Sequence, residues 1–248
     1  MNALIVGHGF VGKATEITLK TLNPGMQIAI HDPQLGLTVT ENTFDWVFIC
    51  VPTNLTKGNK LSTKIVDDVY KQFDGEQIIR STLPPEQVDK YPDATLWPEF
   101  LREVTFDIDA TQPQVTDVIG IDDAYENYFA PGSFTDWLKY QRAVNIVTKK
   151  EAALFKMSRN AFLATKVAFA NQLYIKCIEL DIDYDEVKKL LQHSLDATTH
   201  WDVPGPDGKY GFGGKCLPKD TTHYRSLNGD VLSSIVLMLN KYHREKIL

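Results

Sequence analysis

Ala3-Leu4-Ile5-Val6-Gly7-His8-Gly9-Phe10-Val11-Gly12 carries a short apolar β run through three glycines into a helical pattern over residues 11–22. Gly7 suits a tight turn, Gly9 lets the backbone approach a pyrophosphate, and Gly12 allows the helix to lie close on the strand. The helix start offers free N–H groups and a favourable dipole to phosphates. A glycine pattern alone is a weak signal. The second strand sharpens it by ending at Asp32, 20 residues after Gly12, where an acid can bind the ribose hydroxyls of an adenosine. That carboxylate would repel a 2′-phosphate, so the pattern favours NAD over NADP.

Outward from this stretch, β-rich runs alternate with helical ones as far as residue 148. Residues 3–6, 27–30, 46–51, 77–80, 95–97 and 144–147 read as strands, with the near-continuous apolar character of parallel strands covered on both faces. Residues 11–22 and 64–73 carry helical spacing, the second through Ile65, Val66, Val69, Tyr70 and Phe73. Such alternation implies an α/β fold with an N-terminal Rossmann-like, doubly wound sheet.

The character changes at Lys149. Residues 149–180 hold neither proline nor glycine and read as one long helix. Asp183 is a good N-cap for a second helix, with Glu186 completing a capping box. A loop rich in glycine and proline follows over residues 201–214, Pro218 opens a short helix, and Asp230 begins a last one carrying Val231, Leu232, Ile235, Val236 and Leu239. The expected domains are therefore a dinucleotide-binding sheet domain over 1–148 and an all-helical domain over 149–248, joined by a continuous helix.

A chain of 248 residues can bury a sizeable core, and its 43% hydrophobic and 23% charged residues are an ordinary globular balance. A net charge of -6 argues against nucleic-acid binding by broad phosphate neutralisation. Cys50, Cys177 and Cys216 are too few and too scattered for a disulfide framework, so a reduced, cytoplasmic setting is expected. No basic stretch leads into a long apolar region, and no run approaches the roughly 18–20 apolar residues that span a bilayer, so neither a signal peptide nor a membrane partner is expected.

Further motifs lie at the ends of the expected strands, where open α/β sheets bind ligands. Val51-Pro52-Thr53 follows the third and Ser81-Thr82-Leu83-Pro84 the fourth; the Thr82 hydroxyl either serves a turn or bonds a cofactor or water. Pro98-Glu99-Phe100-Leu101-Arg102-Glu103 follows the fifth, and its two glutamates share a face if the segment is helical. On the long helix Lys156 and Asn160 project from one face with Ala153, Ala164 and Val167. Such a face is buried or lines a cleft, and a lysine with an amide there could stabilise an oxyanion. Gly211-Phe212-Gly213-Gly214-Lys215-Cys216-Leu217-Pro218-Lys219-Asp220 is the most specific stretch. Pro218 places Cys216 just before a first helical turn, and Lys215 and Lys219 flank it; both features favour a thiolate. Asp220 falls about one turn inward. Cys50 and Cys177 read as inert core thiols.

In this order, from Gly7 to Asp220, the motifs resemble the UDP-glucose/GDP-mannose dehydrogenase family. The resemblance implies that Gly7, Gly9, Phe10, Val11, Gly12, Asp32, Val51, Pro52, Thr53, Ser81 and Thr82 hold NAD, with Glu103 and Lys219 nearby. It implies Cys216 as nucleophile, Lys156 and Asn160 as oxyanion stabilisers, Thr82 and Asp220 as holders of a water, and Glu99 as an aid to thioester hydrolysis. The nucleotide sugar would meet Glu99, Phe100, Leu101, Arg102, Glu103, Lys156, Asn160, Tyr210, Phe212, Gly213 and Cys216, and no metal is expected. The implied reaction takes a sugar primary alcohol, UDP-glucose foremost, to the uronate with two NAD per turnover. Two other outcomes stay open: a two-electron dehydrogenase of the β-hydroxyacid type, and a NAD-binding remnant without catalysis. Family members continue into a third, nucleotide-binding domain, so this chain is expected to be a shortened form. Its long helix is apolar around much of its circumference, which together with the resemblance predicts a homodimer packed through the helical domain.

Overall fold

The computed structural model describes residues 1–112, 116–122, 131–194, 200, 202–226 and 231–245. Two compact units are present: Met1–Asn54 with Leu61–Lys156, and Leu55–Lys60 with Met157–Leu248.

The first unit is a seven-stranded sheet. Its strands are β1 (Asn2–Val6), β2 (Gln27–His31), β3 (Thr43–Ile49), β4 (Asp74–Ile79), β5 (Thr95–Leu96), β6 (Asp117–Ile121) and β7 (Val144–Thr148). They lie in the order β2-β1-β3-β4-β5-β6-β7. All pairs are parallel except β5 with β6, which run antiparallel through Leu96 and Gly120. The sheet is thus Rossmann-like, with one reversal that the expectation of uniformly parallel strands lacked. The reversal comes with β6, which the sequence reading missed because Asp117 and Gly120 interrupt its apolar run.

Alternation along the strands explains why those runs are apolar throughout. Leu4, Val6, Val47, Ile49 and Ile79 face one layer, filled by Val66 and Val69 of α2 (Lys64–Tyr70). Ala3, Ile5, Trp46, Phe48 and Ile78 face the other, filled by Leu19 of α1 (Phe10–Leu22). The larger of these, such as Leu4, Ile5 and Phe48, each stabilise the fold by roughly 1.5–3 kcal/mol on burial. Ile65 departs from the expected stripe and stands exposed. Two helices absent from the sequence reading complete the unit, α3 (Phe106–Thr111) and α4 (Phe134–Gln141). Ser133 caps α4 by accepting from Asp136 N at 3.2 Å, and Glu76 accepts from Phe134 N at 2.8 Å. Phe134 and Leu138 then join the aromatic layer with Trp46, Phe48 and Trp97.

The second unit is helical: α5 (Lys149–Glu179), which begins in the first unit and continues here, α6 (Tyr184–Ser194), α7 (Cys216–Ser226) and α8 (Val231–Glu245). The long helix matches the expected one within a residue. Asp183 does cap α6, accepting from Asp185 N at 2.8 Å. Helix α7 begins at Cys216 and so makes the cysteine its first residue rather than the one preceding it; Pro218 is third. Asp230 and Trp201 lie outside the described residues, as do the side chains of Val231 and Leu232. Ala164, Val167 and Ala168 of α5 pack with Phe212 and with Val236 of α8. Among the described residues, no helix is long and apolar enough to cross a membrane.

Candidate active site

In the first unit the glycine turn stands as its sequence requires. Gly7 has a φ of +87°, open to glycine at little cost, and its N–H donates to His31 O at 2.9 Å. A Cβ on Gly12 would overlap the Gly7 carbonyl oxygen, so only hydrogen fits where α1 crosses the turn. At Gly9 the reverse holds, with no atom within 4 Å of where a Cβ would stand. The first turn of α1, with Phe10 and Val11, carries neither a side-chain cap nor an acidic residue. Uncapped N–H groups behind open space fit the pyrophosphate of a dinucleotide.

Asp32 does more than its position suggested. Its Oδ2 accepts from His8 N at 2.7 Å and its Oδ1 from Gln34 N at 3.1 Å, tying the end of β2 to the glycine turn. Each oxygen keeps a lone pair for a ribose hydroxyl. The His8 ring turns onto Glu16 at 2.8 Å, and Glu16 also holds Lys20. Burial raises the Glu16 carboxyl, but these two partners outweigh it and leave it below its ordinary value.

Beyond β3 and β4, Val51, Thr53, Ser81 and Thr82 are buried and Pro52 is exposed. Ser81 Oγ donates to Val51 O at 2.7 Å and Ile49 O at 3.2 Å. Ser81 therefore ties two strand ends together, whereas Thr82 remains the hydroxyl suited to a ligand.

The expected shared face for Glu99 and Glu103 does not form. The chain is neither helix nor strand from Pro98 to Leu101, Arg102 is extended, and Glu103 is exposed at the start of a short 3-10 turn, Glu103–Thr105. Glu99 is buried with both oxygens engaged: Oε1 takes Lys156 Nζ at 2.7 Å and Oε2 takes Leu101 N at 2.8 Å. Lys156 Nζ also donates to Glu99 O at 2.6 Å. Burial pushes the Glu99 carboxyl up; Lys156, the Leu101 amide and Arg80 pull it down, and the net result is lowered. Lys156 thus directs two of its three N–H groups at Glu99. Phe100 and the half-buried Leu101 continue the segment, with Phe100 edge-on to Phe155 at 5.4 Å. Arg102 spends its guanidinium on Asp109, at 3.0 and 2.6 Å, which argues against a direct hold on a substrate.

In the second unit Asn160, one turn beyond Lys156 on α5, is 4% exposed and donates from Nδ2 to Asp220 Oδ2. Asp220 is fully buried on α7 and also takes Lys219 Nζ at 2.6 Å. Cys216 stands one turn earlier on the same helix, half-buried and outside any disulfide. The loop before it is fastened by side chains. Asn171 accepts from Gly211 N at 3.1 Å, Asn240 from Phe212 N at 2.6 Å, and Arg244 Nη2 reaches Asp207 at 2.7 Å. Tyr210 and Gly213 are half-buried along it, and Tyr210 approaches Tyr174 at 6.1 Å. Phe212, expected to meet a substrate, is instead 3% exposed within the helical core. Cys50, in contrast with Cys216, is buried at the end of β3, and burial pushes its thiol up to about 11.

Arg80 carries no signal in the sequence beyond its place at a strand end. Asn171, Asn240 and Arg244 likewise carry no local signal, because they act on a loop distant in sequence.

Residues 150–236 match the central domain of the UDP-glucose/GDP-mannose dehydrogenase family. A UDP-glucose 6-dehydrogenase of Haloferax volcanii is 36% identical over 89% of this chain and 64% of that protein. One from Pseudomonas aeruginosa is 29% identical over 50% of this chain and 26% of its own length. The chain therefore spans less than two thirds of these curated relatives. A UDP-glucose dehydrogenase from the archaeon Pyrobaculum islandicum superposes with a TM-score of 0.77 over 97% of this chain and 68% of its own, at 21% identity, a likeness of fold. The central-domain match places residues 150–236 in the UDP-glucose/GDP-mannose dehydrogenase family, and the longer alignments make the chain similar to its UDP-glucose 6-dehydrogenases.

Proposed function

We propose that this chain oxidises the primary alcohol of a nucleotide sugar to the carboxylate through a thioester on Cys216, with UDP-glucose as the favoured substrate. The observation that carries the reading is Cys216 itself: the first residue of α7, half-buried, outside any disulfide, one turn from a buried Asp220 held by Asn160. A thiol at a helix start is favoured as thiolate by the helix dipole. The family match and the names of the relatives support the substrate class.

Gly7 to Gly12 and Asp32 would hold NAD, which when bound would accept a hydride in each of two oxidations. In the first, the alcohol becomes an aldehyde and its hydroxyl proton leaves through a water, for which Thr82 and Asp220 are the proposed holders. Cys216 then adds to the aldehyde carbon and Asn160 donates to the developing oxyanion. The second oxidation leaves a thioester. Water cleaves its C–S bond, oriented by Glu99, and the thiolate departs while protons pass to solvent. Alcohol, two NAD and one water thus yield one uronate and two NADH. Lys156 contributes by holding Glu99.

A homodimer packed through the helical domain remains part of this reading. Phe162, Phe169 and Ile178 of α5 and Met238 of α8 are exposed apolar side chains, a pattern that self-association would cover. Light scattering at micromolar concentration should give twice the chain mass; a monomer counts against the dimer.

The activity is tested by counting. Incubated with NAD and a panel of nucleotide sugars, the chain should release two NADH per uronate. Cys216→Ser should reduce acid formation to background, while Cys50→Ser should keep it. Full acid formation without the Cys216 thiol rules out the thioester route, and one NADH per product points to a two-electron dehydrogenase.

A further inference from the structure

Arg80 follows the last residue of β4 and precedes the Ser81–Thr82 turn. It is 5% exposed, and its Nε and Nη1 have no hydrogen-bond partner among the described residues. Its Cζ stands 3.7 Å from the centroid of the Trp97 ring. A guanidinium taken out of water is costly unless a carboxylate receives it, yet the nearby carboxylates are engaged elsewhere. Asp117 of β6 takes Trp97 Nε1 at 2.8 Å and Arg142 Nη1 at 3.2 Å. Glu99 takes Lys156 and the Leu101 amide. Among the described residues, three cations, Arg80, Arg142 and Lys156, therefore face two carboxylates, Asp117 and Glu99, which leaves one positive charge in surplus. Cys50 does not cancel it, since burial keeps that thiol protonated at neutral pH despite the arginine beside it.

What this cation touches indicates what it does. Trp97 is gripped on its face by Arg80 and at its edge by Asp117, and the chain runs from Trp97 through Pro98 directly into Glu99. Among the described residues, the charged and titratable groups acting on Glu99 are Lys156 from α5, Arg80 at the end of β4 and Cys50 at the end of β3.

We propose that Arg80 is a positioning residue for Glu99: it fixes the end of β5 through Trp97 and, with Lys156, keeps the Glu99 carboxylate charged. Stacking supplies the place, and a charge that no bonded carboxylate cancels supplies the field. The consequence for catalysis rests on the proposed function: Glu99 would orient water as a permanent acceptor rather than store a proton. The electrostatic claim does not need that reading.

The test is a 13C NMR titration of the glutamate side-chain carboxyls in the full chain, without substrate or cofactor. The Glu99 signal is assigned by its loss in Glu99→Gln. Arg80→Met, checked for folding by circular dichroism, should move the Glu99 midpoint to higher pH than in wild type. Arg80→Lys keeps the charge and loses the flat stack, so its midpoint should stay within a few tenths of wild type. A merely structural arginine would leave the midpoint unmoved in any folded variant, and that result overturns the proposal. Should Arg80→Met not fold, Arg80→Gln replaces it. In the wild-type chain alone, Glu99 must titrate below the exposed glutamates; a midpoint at or above theirs overturns the proposal without any variant. Failure of the chain to form NADH would sink the dehydrogenase reading and leave this titration standing.

Discussion

Two glycine-rich turns open helices in this chain, and they are held by different means. The turn at Gly7 to Gly12 is chiefly backbone against backbone, with Gly12 lying on the Gly7 carbonyl and the Gly7 amide on the His31 carbonyl, and one side chain, Asp32, adding a bond to the His8 amide. The loop ahead of α7 is held by side chains reaching in from α5 and α8: Asn171, Asn240 and Arg244. The contrast teaches where each region is brittle. A backbone contact cannot give way without moving a strand or helix, whereas a side chain can change rotamer. The first turn should thus be intolerant of atoms added at Gly7 and Gly12, and the second should depend most on its amide partners.

The largest effect is expected from Gly12→Ala. The added methyl overlaps the Gly7 carbonyl oxygen, and α1 can relieve this only by lifting off β1. Overpacking of this kind costs about 3 kcal/mol. At roughly 2–4 °C per kcal/mol for a chain of this size, the melting midpoint should fall by roughly 6–12 °C. NAD binding by calorimetry should be lost with it, because the first-turn N–H groups move. A variant that melts and binds as wild type would mean that the turn is as adaptable as the second loop.

Asn240→Ala probes the other side of the contrast. It removes the acceptor of Phe212 N at the edge of the helical core, and an unsatisfied amide there costs about 2 kcal/mol. Thermal unfolding should show a midpoint lowered by roughly 4–8 °C. Hydrogen exchange should quicken at Gly211 and Phe212 while the Gly7–Gly12 turn stays protected. Equal loss of protection in both turns would erase the distinction between them.

The difference also explains what could be read from the sequence. The first turn was legible because its determinants are local: three glycines at fixed spacing, an apolar strand and an acid at the next strand end. The α5 helix was legible for the same reason, as an uninterrupted run of helix formers. The second loop was recognisable by pattern but not by packing. Phe212 reads as a ligand contact until α8 supplies Val236 and Asn240 around it. Glu99 and Glu103 read as a helical pair until Arg102 is drawn onto Asp109, seven residues on, and the segment between the glutamates stays out of a helix. Strand β6 was hidden because Asp117 begins it, and the reason for that acid lies in Trp97 and Arg142, both far away in the chain. Arg80 was hidden because a charge at a strand end is ordinarily solvated. What the sequence could not convey was which polar groups would meet across elements.

Gly213→Ala should have the smallest effect, although its added methyl would also overlap another atom. That atom is Arg244 Nη2, with Asp207 Oδ2 next at 2.7 Å, both at the ends of side chains that can swing aside. Gly213 has no positive φ to strain an alanine. Displacing Arg244 gives up its contact with an Asp207 that is itself exposed, and such ion pairs contribute only about 0–1 kcal/mol. Against this, alanine lowers the entropy of the unfolded chain and returns roughly 0.4–1 kcal/mol. The two contributions nearly cancel, so stability should stay within about 1 kcal/mol of wild type by urea denaturation. The Phe212 carbonyl, which accepts from Arg244 Nε at 3.3 Å, should turn to solvent without exposing the core beneath it. If Gly213→Ala instead costs as much as Gly12→Ala, Arg244 is no movable brace but a fixed wall of the loop, and the contrast between the two turns fails at its side-chain end.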